Sequence, residues 1–315
     1  MLGDDFPKTL MEFEERFSTE EKCRTHLFAA KFPNGFVCSK CGHTEFWWTD
    51  RQLMYCKICG HQNSLRTGTI FQDSKKPLML WYRAIYLISF QKTGISAKNL
   101  QQQLGFGSYQ TAWTWLHKIR SAMRRMNRDK LFGNVEVDET YVGGSFTGKR
   151  GRGSENKVII GVCLERKGQK LGRVRMEILP DVTAASIKDF INVNIQKNSM
   201  ILSDGLPSYQ GIGDEGYMHR PVKSTIKNKD TLLSGIHLVV SLFKRFMLGT
   251  HQGRFSEKHL HLFLDEFVFR FNRRKSANRG KVFYRLIDEC IVHQALPYWR
   301  IIGRINQNTP LGNTA

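Results

Sequence analysis

Apolar positions change their period along this chain, and the changes mark out its elements. Leu10, Phe13, Phe17, Cys23 and Leu27 recur at near-helical spacing, which predicts helix over residues 10–30 with Ser18-Thr-Glu-Glu as a capping box. Pro33-Asn-Gly35 signals a turn, and residues 35–69 break into short aromatic-rich stretches that predict small strands. Pro77 opens a nearly continuous apolar helix that runs to about Phe90. Two further helices are predicted at 97–104 and 109–126, parted by Gly105-Phe-Gly107, with Ser96 as an N-cap. From Val135 the period shortens to that of strands, at 135–142, 158–165 and 172–179, the middle one apolar enough to be buried on both faces. Gly143–Lys157 between the first two is a Gly-rich basic loop, expected to be mobile. A helix at 183–194, a strand at Met200–Ser203 and helices over about 232–248 and 257–274 complete the pattern.

The cysteines give the first stretch a chemistry. Cys38-Ser-Lys-Cys41 and Cys56-Lys-Ile-Cys59 are two CxxC pairs separated by fourteen residues. Two such turns complete a tetrahedral four-thiolate site for zinc, with no position left open for catalysis, so the ion is expected to be structural. Each pair is followed by Gly-His, the glycines (Gly42 and Gly60) suiting the backbone of a metal knuckle and His43 and His61 read as solvated neighbours. Cys23, Cys163 and Cys290 stand alone among apolar residues and read as packing groups. Seven cysteines in this arrangement point to a reducing compartment.

Charge narrows the partner. Lys and Arg number 48 against 28 Asp and Glu, a formal +20, which points to a polyanion and first of all to nucleic acid. A ribosome-associated or membrane-surface protein is the alternative on charge alone. No membrane span is expected, because the most apolar stretch, Leu78–Phe90, is short and interrupted by Arg83, and Met1–Asp5 has no signal-peptide character.

Residues 94–125 have the size of a helix-turn-helix. In that reading Tyr109, Gln110 and Thr111 open the second helix and face base edges, while Lys118, Arg120, Arg124 and Arg125 extend toward phosphates. A plain helical hairpin is the competing reading. Lys149, Arg150 and Arg152 in the Gly-rich loop, and Arg273 and Arg274 after the last helix, are further candidate phosphate contacts. On that helix Asp265 and Glu266 are expected to pair with Arg270, Arg273 or Arg274.

Asp138 sits on the first long strand with Glu136 on the same face, and Asp204 follows the apolar strand Met200–Ser203 at a sharp turn. Two aspartates at neighbouring strand ends can hold a pair of Mg²⁺ ions for in-line phosphoryl transfer. Glu136 and Glu139 are possible outer partners.

With these residues in view, the chain resembles bacterial insertion-sequence transposases of the ISXO2-like branch, from about Phe13 to Arg274. The stretches VEVDETYVGG, KRGRGSENK, LSDGLPSY and KRFMLGTHQGRFSEKHLHLFLDEFVFRFNRR carry the likeness most specifically. The resemblance implies a zinc ribbon, a helix-turn-helix and an RNase H-like α/β catalytic domain with a mixed sheet flanked by helices. It implies metal-dependent (Mg or Mn) cleavage at element ends and strand transfer into target DNA, by a homo-oligomer on double-stranded DNA. Such an enzyme works in the bacterial cytoplasm at the nucleoid, or in the nucleus if the element is eukaryotic. Family members commonly carry a Glu after the second Asp and a Lys or Arg seven residues on. Here His237 and Lys244 occupy those places, one helix face apart by two turns. The resemblance therefore implies a site of Asp138, Asp204 and His237 as metal ligands, with Lys244 near element-end DNA. A packed helix histidine, a decayed DNA-binding regulator, or a structure-specific Asp-Asp-His nuclease are the alternatives. The expected domains are 1–72 (N-terminal helix and ribbon), 73–130 (helix-turn-helix region), 131–300 (catalytic) and 301–315 (tail).

Overall fold

Side-chain caps decide where the first helices begin. The computed structural model describes residues 6–125, 128–143, 157–222, 233–252, 256–294 and 296–303. Its first elements are α1 (Leu10–Arg16), α2 (Glu20–Lys31), β1 (Phe46–Trp48), β2 (Met54–Cys56), β3 (Gln62–Asn63), α3 (Leu78–Phe90), α4 (Ala97–Leu104) and α5 (Tyr109–Ser121). They continue with β4 (Asn134–Val142), β5 (Val158–Lys167), β6 (Lys170–Leu179), α6 (Ala184–Asn194), β7 (Met200–Ser203), β8 (Met218–Pro221), α7 (Ser234–His251), α8 (Leu260–Asn272), α9 (Arg279–Val292) and α10 (Tyr298–Ile301). The single helix expected over 10–30 is two, because Thr9 and Thr19 each accept the backbone N–H of the residue three positions on, Glu12 and Lys22, and so start a new helix. The cap is Thr19, one residue beyond the expected Ser18. Pro77 supplies no side-chain cap for α3. Glu20 does so instead, accepting from the N–H groups of Leu78 and Met79 at 2.9 and 3.0 Å.

Two compact units result, one comprising the chain up to Arg124 together with Ser276 onward, the other Arg125–Lys275. In the first, α4 and α5 meet across Gly105, whose φ of +64° ends α4 in the left-handed region that glycine adopts without strain. Trp115 of α5 stacks on Trp81 of α3 at 3.6 Å and 10°. Phe283 of α9 lies fully buried among Phe13, Phe17, Tyr82 and Tyr86. The expected catalytic domain ran to residue 300, but α9 packs on α2 and α3, so residues from Ser276 belong with the N-terminal helices. The reason is apolar burial: Val282, Phe283, Leu286, Ile287 and Cys290 form a face that the aromatic residues of α1–α3 cover.

The second unit holds a five-stranded sheet of order β6-β5-β4-β7-β8. β4, β5 and β6 form an antiparallel meander, and β7 and β8 add parallel to β4. α6 covers one face, over a core that includes Val135, Val137, Phe190 and Ile201. α7 and α8 cover the other, over Ile160, Val162, Leu164, Val239, Phe243 and Phe267. Three antiparallel strands followed by parallel ones, with helices on both faces, make this mixed α/β sheet RNase H-like, as the sequence had implied. β8 was not expected, since Met-His-Arg-Pro is largely exposed and ends in proline, which suits only an edge. Among the described residues no helix is long and apolar enough to cross a membrane.

Phe283→Ala is expected to destabilise the first unit by about 3–5 kcal/mol, the usual cost of emptying a buried aromatic site, measured by urea unfolding followed through tryptophan fluorescence.

Candidate functional site

The pairing of β4 with β7 builds the acidic part of the site. Their parallel register sets Glu136 opposite Leu202. Asp138 lies two residues further along β4 on the same face as Glu136, and Asp204 directly follows the last residue of β7. Asp138 Oδ1 accepts the N–H of Glu139 at 2.9 Å. Asp204 stands just past β7, where its Oδ1 accepts the N–H of Leu206 at 3.2 Å and Gly205, at φ +77°, turns the chain away. Ser203 before it is buried and shares a hydrogen bond of 2.9 Å with His219 Nε2 of β8.

The same face receives α7. His237, in the first turn of α7, places Nε2 3.8 Å from Asp138 Oδ2, with its own side chain 55% exposed and that of Asp138 18% exposed. Lys244 is exposed further along α7. Behind the strand, Tyr209 is fully buried and donates to Glu139 Oε2 at 3.0 Å. Burial first, then the charges of Glu139, Asp138 and Asp204, push its phenol well above the ordinary range, so it stays a neutral donor. Glu136 is turned instead to the start of α7, where Oε2 accepts the N–H of Ile236 at 2.9 Å.

Two carboxylates and an imidazole are a donor set suited to Mg²⁺ or Mn²⁺ chemistry. Among the described residues His237 stands 3.8 Å from Asp138, and these two with Asp204 do not close into a three-ligand cluster.

The four cysteines do converge. Their sulfurs lie within 4.8 Å of one another, with Cys38–Cys59 and Cys41–Cys56 both at 3.6 Å. A tetrahedral zinc with Zn–S of about 2.3 Å sets sulfurs about 3.8 Å apart, so the cage fits that ion. Gly42 and Gly60 close the two knuckles at φ +75° and +67°, and the N–H groups of Cys38 and Cys56 donate to the carbonyls of His43 and His61. Burial opposes the Cys38 thiolate, yet N–H donors from Cys41 and Lys40 and the Asn63 amide bring its thiol down to about 6. Cys41 has a favourable N–H from His43, but the sulfurs of Cys59, Cys56 and Cys38 push its thiol up to about 12. Sulfurs this close ionise together only around a cation.

Residues 130–272 match the family model described as the ISXO2-like transposase domain, and residues 18–62 match the transposase zinc-ribbon domain. The chain thus carries an ISXO2-like transposase domain behind a transposase zinc ribbon. An uncharacterized protein in transposable element ISH50 of Halobacterium salinarum is 24% identical over 262 residues, covering 75% of this chain and 86% of the relative. Among solved structures, the Mos1 strand transfer complex is similar at 15% identity and a TM-score of 0.30, covering 70% of this chain and 78% of that one. A simian T-cell lymphotropic virus intasome, in complex with a PP2A regulatory subunit, is similar at 14% identity and a TM-score of 0.29. It covers 57% of this chain, which spans 66% of that chain. The strand order, not these scores, carries the fold assignment.

The transposase's expected DNA contacts divide in three. Tyr109 and Gln110 are exposed at the start of α5 and Thr111 half-buried beside them, with Ser108 capping the helix. Arg124 and Arg125 are also exposed. Lys118 and Arg120 do not extend to solvent: they are 9% and 3% exposed, because the second half of α5 is buried on all sides within the first unit. Burial lowers the Lys118 ammonium, with Asp73 acting against it. Arg274 is spent on the carbonyls of Gly172, Leu171 and Phe271 and stacks on the Phe271 ring at 3.9 Å, and Arg273 stacks on Phe269 at 3.8 Å. Both tie down the end of α8 while remaining half-buried. Glu266 pairs with Arg270 at 2.7 Å, as its spacing had suggested. Lys149, Arg150 and Arg152 lie outside the described residues. Sequence reasoning missed the Glu136–Ile236 bond, which no local pattern announces because its partners are a hundred residues apart.

Cys41→Ser is expected to abolish stoichiometric zinc binding (about one ion per chain in the unaltered protein) and to shift the emission of Trp47 and Trp48, read by atomic absorption and fluorescence.

Proposed function

We propose that this transposase binds the terminal repeats of its insertion sequence and catalyses metal-dependent cleavage and transfer of DNA strands. The observation that carries the reading is the parallel pairing of β4, which bears Asp138, with β7, which Asp204 directly follows, together with His237 3.8 Å from Asp138. Asp138, Asp204 and His237 would hold the catalytic divalent ions. A bound pair of Mg²⁺ or Mn²⁺ ions supplies activation of an attacking oxygen and stabilisation of the leaving one. Asp138 and Asp204 would hold those ions against the phosphate charge while water cleaves the phosphodiester at the element end and frees a 3′-OH, which then attacks a phosphate of the target strand and displaces that strand's 3′-oxygen. His237 contributes a neutral nitrogen donor where relatives commonly carry a carboxylate, which lowers the negative charge of the site by one. Lys244, exposed on the same helix, meets the backbone of the element end.

Recognition is assigned to α4 and α5. Tyr109, Gln110 and Thr111 sit at the exposed N-terminal turn of α5, the part of such a helix that reaches base edges, and Arg124 follows its end. Double-stranded DNA is the partner, bound by more than one copy so that two ends meet. The formal +20 is in keeping with that partner.

A labelled duplex carrying the terminal repeat tests the reading in Mg²⁺ and in Mn²⁺. The protein is expected to nick at the repeat end, and Asp138→Ala, Asp204→Ala and His237→Ala each to lose on the order of 100-fold or more of that rate while still binding. Binding without cleavage under either metal points instead to a DNA-binding regulator. Gln110→Ala is expected to weaken repeat binding by about 1–3 kcal/mol without changing non-specific affinity, measured by competition gel shift.

A further inference from the structure

β4 carries one proposed metal ligand and also grips the helix that carries another. Leu233, ahead of α7, sits at φ +46° in the left-handed region and offers no side-chain cap. The vacant capping role is filled across the sheet. Glu136 is 6% exposed, and its Oε2 accepts the N–H of Ile236, the residue before His237, at 2.9 Å. Its Oε1 lies 3.5 Å from Arg166 Nε on β5, which supplies the balancing charge. Gly235 makes the approach possible: a Cβ there would stand 2.7 Å from Glu136 Oε2, 2.5 Å from Arg166 Nη1 and 2.8 Å from Leu164 Cδ2. Glu136 and Asp138 are two residues apart on one strand face, and Ile236 and His237 are adjacent in one helical turn. The hydrogen bond therefore sets how far His237 stands from Asp138.

We propose that Glu136 is a positioning residue, whose hydrogen bond to the Ile236 N–H holds His237 beside Asp138, within reach of one divalent ion. The proposal rests on the reading of Asp138, Asp204 and His237 as metal ligands. Glu136 touches neither substrate nor metal in this scheme; it acts through the backbone of α7. A carboxylate at a helix N-terminus interacts with the helix dipole as well as with the N–H, so the coupling is electrostatic and geometric together.

Two substitutions separate this role from a purely structural one. Glu136→Gln keeps an oxygen acceptor at full reach and loses the charge facing Arg166. Glu136→Asp keeps the charge and falls one methylene short of Ile236. Stability alone tracks the charge, so Glu136→Gln should melt lower than Glu136→Asp. Positioning tracks reach, so the order for metal should be reversed. Mn²⁺ affinity is measured on the zinc-loaded full chain by electron paramagnetic resonance, beside thermal melting, with Asp138→Ala and His237→Ala as references. The expected result is a loss of about 10-fold or more for Glu136→Asp, the scale of losing a group that orients a ligand, and less than about 3-fold for Glu136→Gln. Should Glu136→Gln fail to fold, Glu136→Asp decides alone. Folded Glu136→Asp with unaltered Mn²⁺ affinity overturns the positioning role. If Asp138→Ala and His237→Ala bind Mn²⁺ as the unaltered chain does, the metal-site reading itself fails, and this inference with it.

Discussion

The parallel register of β4 against β7 is the constraint from which the rest of the catalytic unit follows. Three residue pairs, Asn134–Met200, Val135–Ile201 and Glu136–Leu202, fix it, and a slip of one residue would send Asp138 and Asp204 to opposite faces. The register is protected by burial. Val135, Val137 and Ile201 pack into the α6 core on one face, while the polar residues Glu136 and Asp138 take the other, where α7 arrives. The alternation that keeps the core dry is thus the same alternation that presents the carboxylates together. β4 is flanked on both sides, by β5 and β7, so its position has little freedom to drift.

Local chemistry was legible in the sequence where few residues define it. The two CxxC pairs specified a four-sulfur cage by spacing alone, and the structure brings the sulfurs within 4.8 Å. The strand at Met200–Ser203 and the helix at 97–104 were bounded by their own turn and cap residues, Gly205 and Ser96, and stand where expected. What was not legible depends on distant partners. β8 has no alternation to reveal it and exists by pairing with β7. α9 has the right periodicity but no local sign of which core it joins. The charges of Lys118 and Arg120 suggested solvent, yet the tertiary surroundings of α5 enclose them. For the site, both aspartates could be placed at strand ends from pattern alone, whereas His237 entered through family resemblance and Glu136's bond to α7 only through the fold.

Charge is handled differently in the cysteine cage and on the acidic face. The cysteine cage is closed, with four donors and glycine knuckles that leave no room for a further ligand, and its worth is to the fold of a small module short of apolar core. The acidic face is open on the His237 side, and its carboxylates are anchored by one oxygen each, Asp138 to Glu139 N–H and Asp204 to Leu206 N–H. Asp138 turns its other oxygen, Oδ2, toward His237 Nε2 at 3.8 Å.

The return of α9 to the N-terminal helices has a consequence for how the molecule is made. The aromatic faces of α1–α3 are synthesised first and their cover last, after the whole of Arg125–Lys275. At about 5–20 residues per second a ribosome takes on the order of 10–40 s to travel from the end of α3 to the end of α9. During that interval Phe13, Phe17, Tyr82 and Tyr86 lack the ring of Phe283 that buries them. The unit Arg125–Lys275 is therefore complete on the ribosome before the unit that begins the chain has its last helix, and the aromatic side chains of α1–α3 pass that interval without their cover.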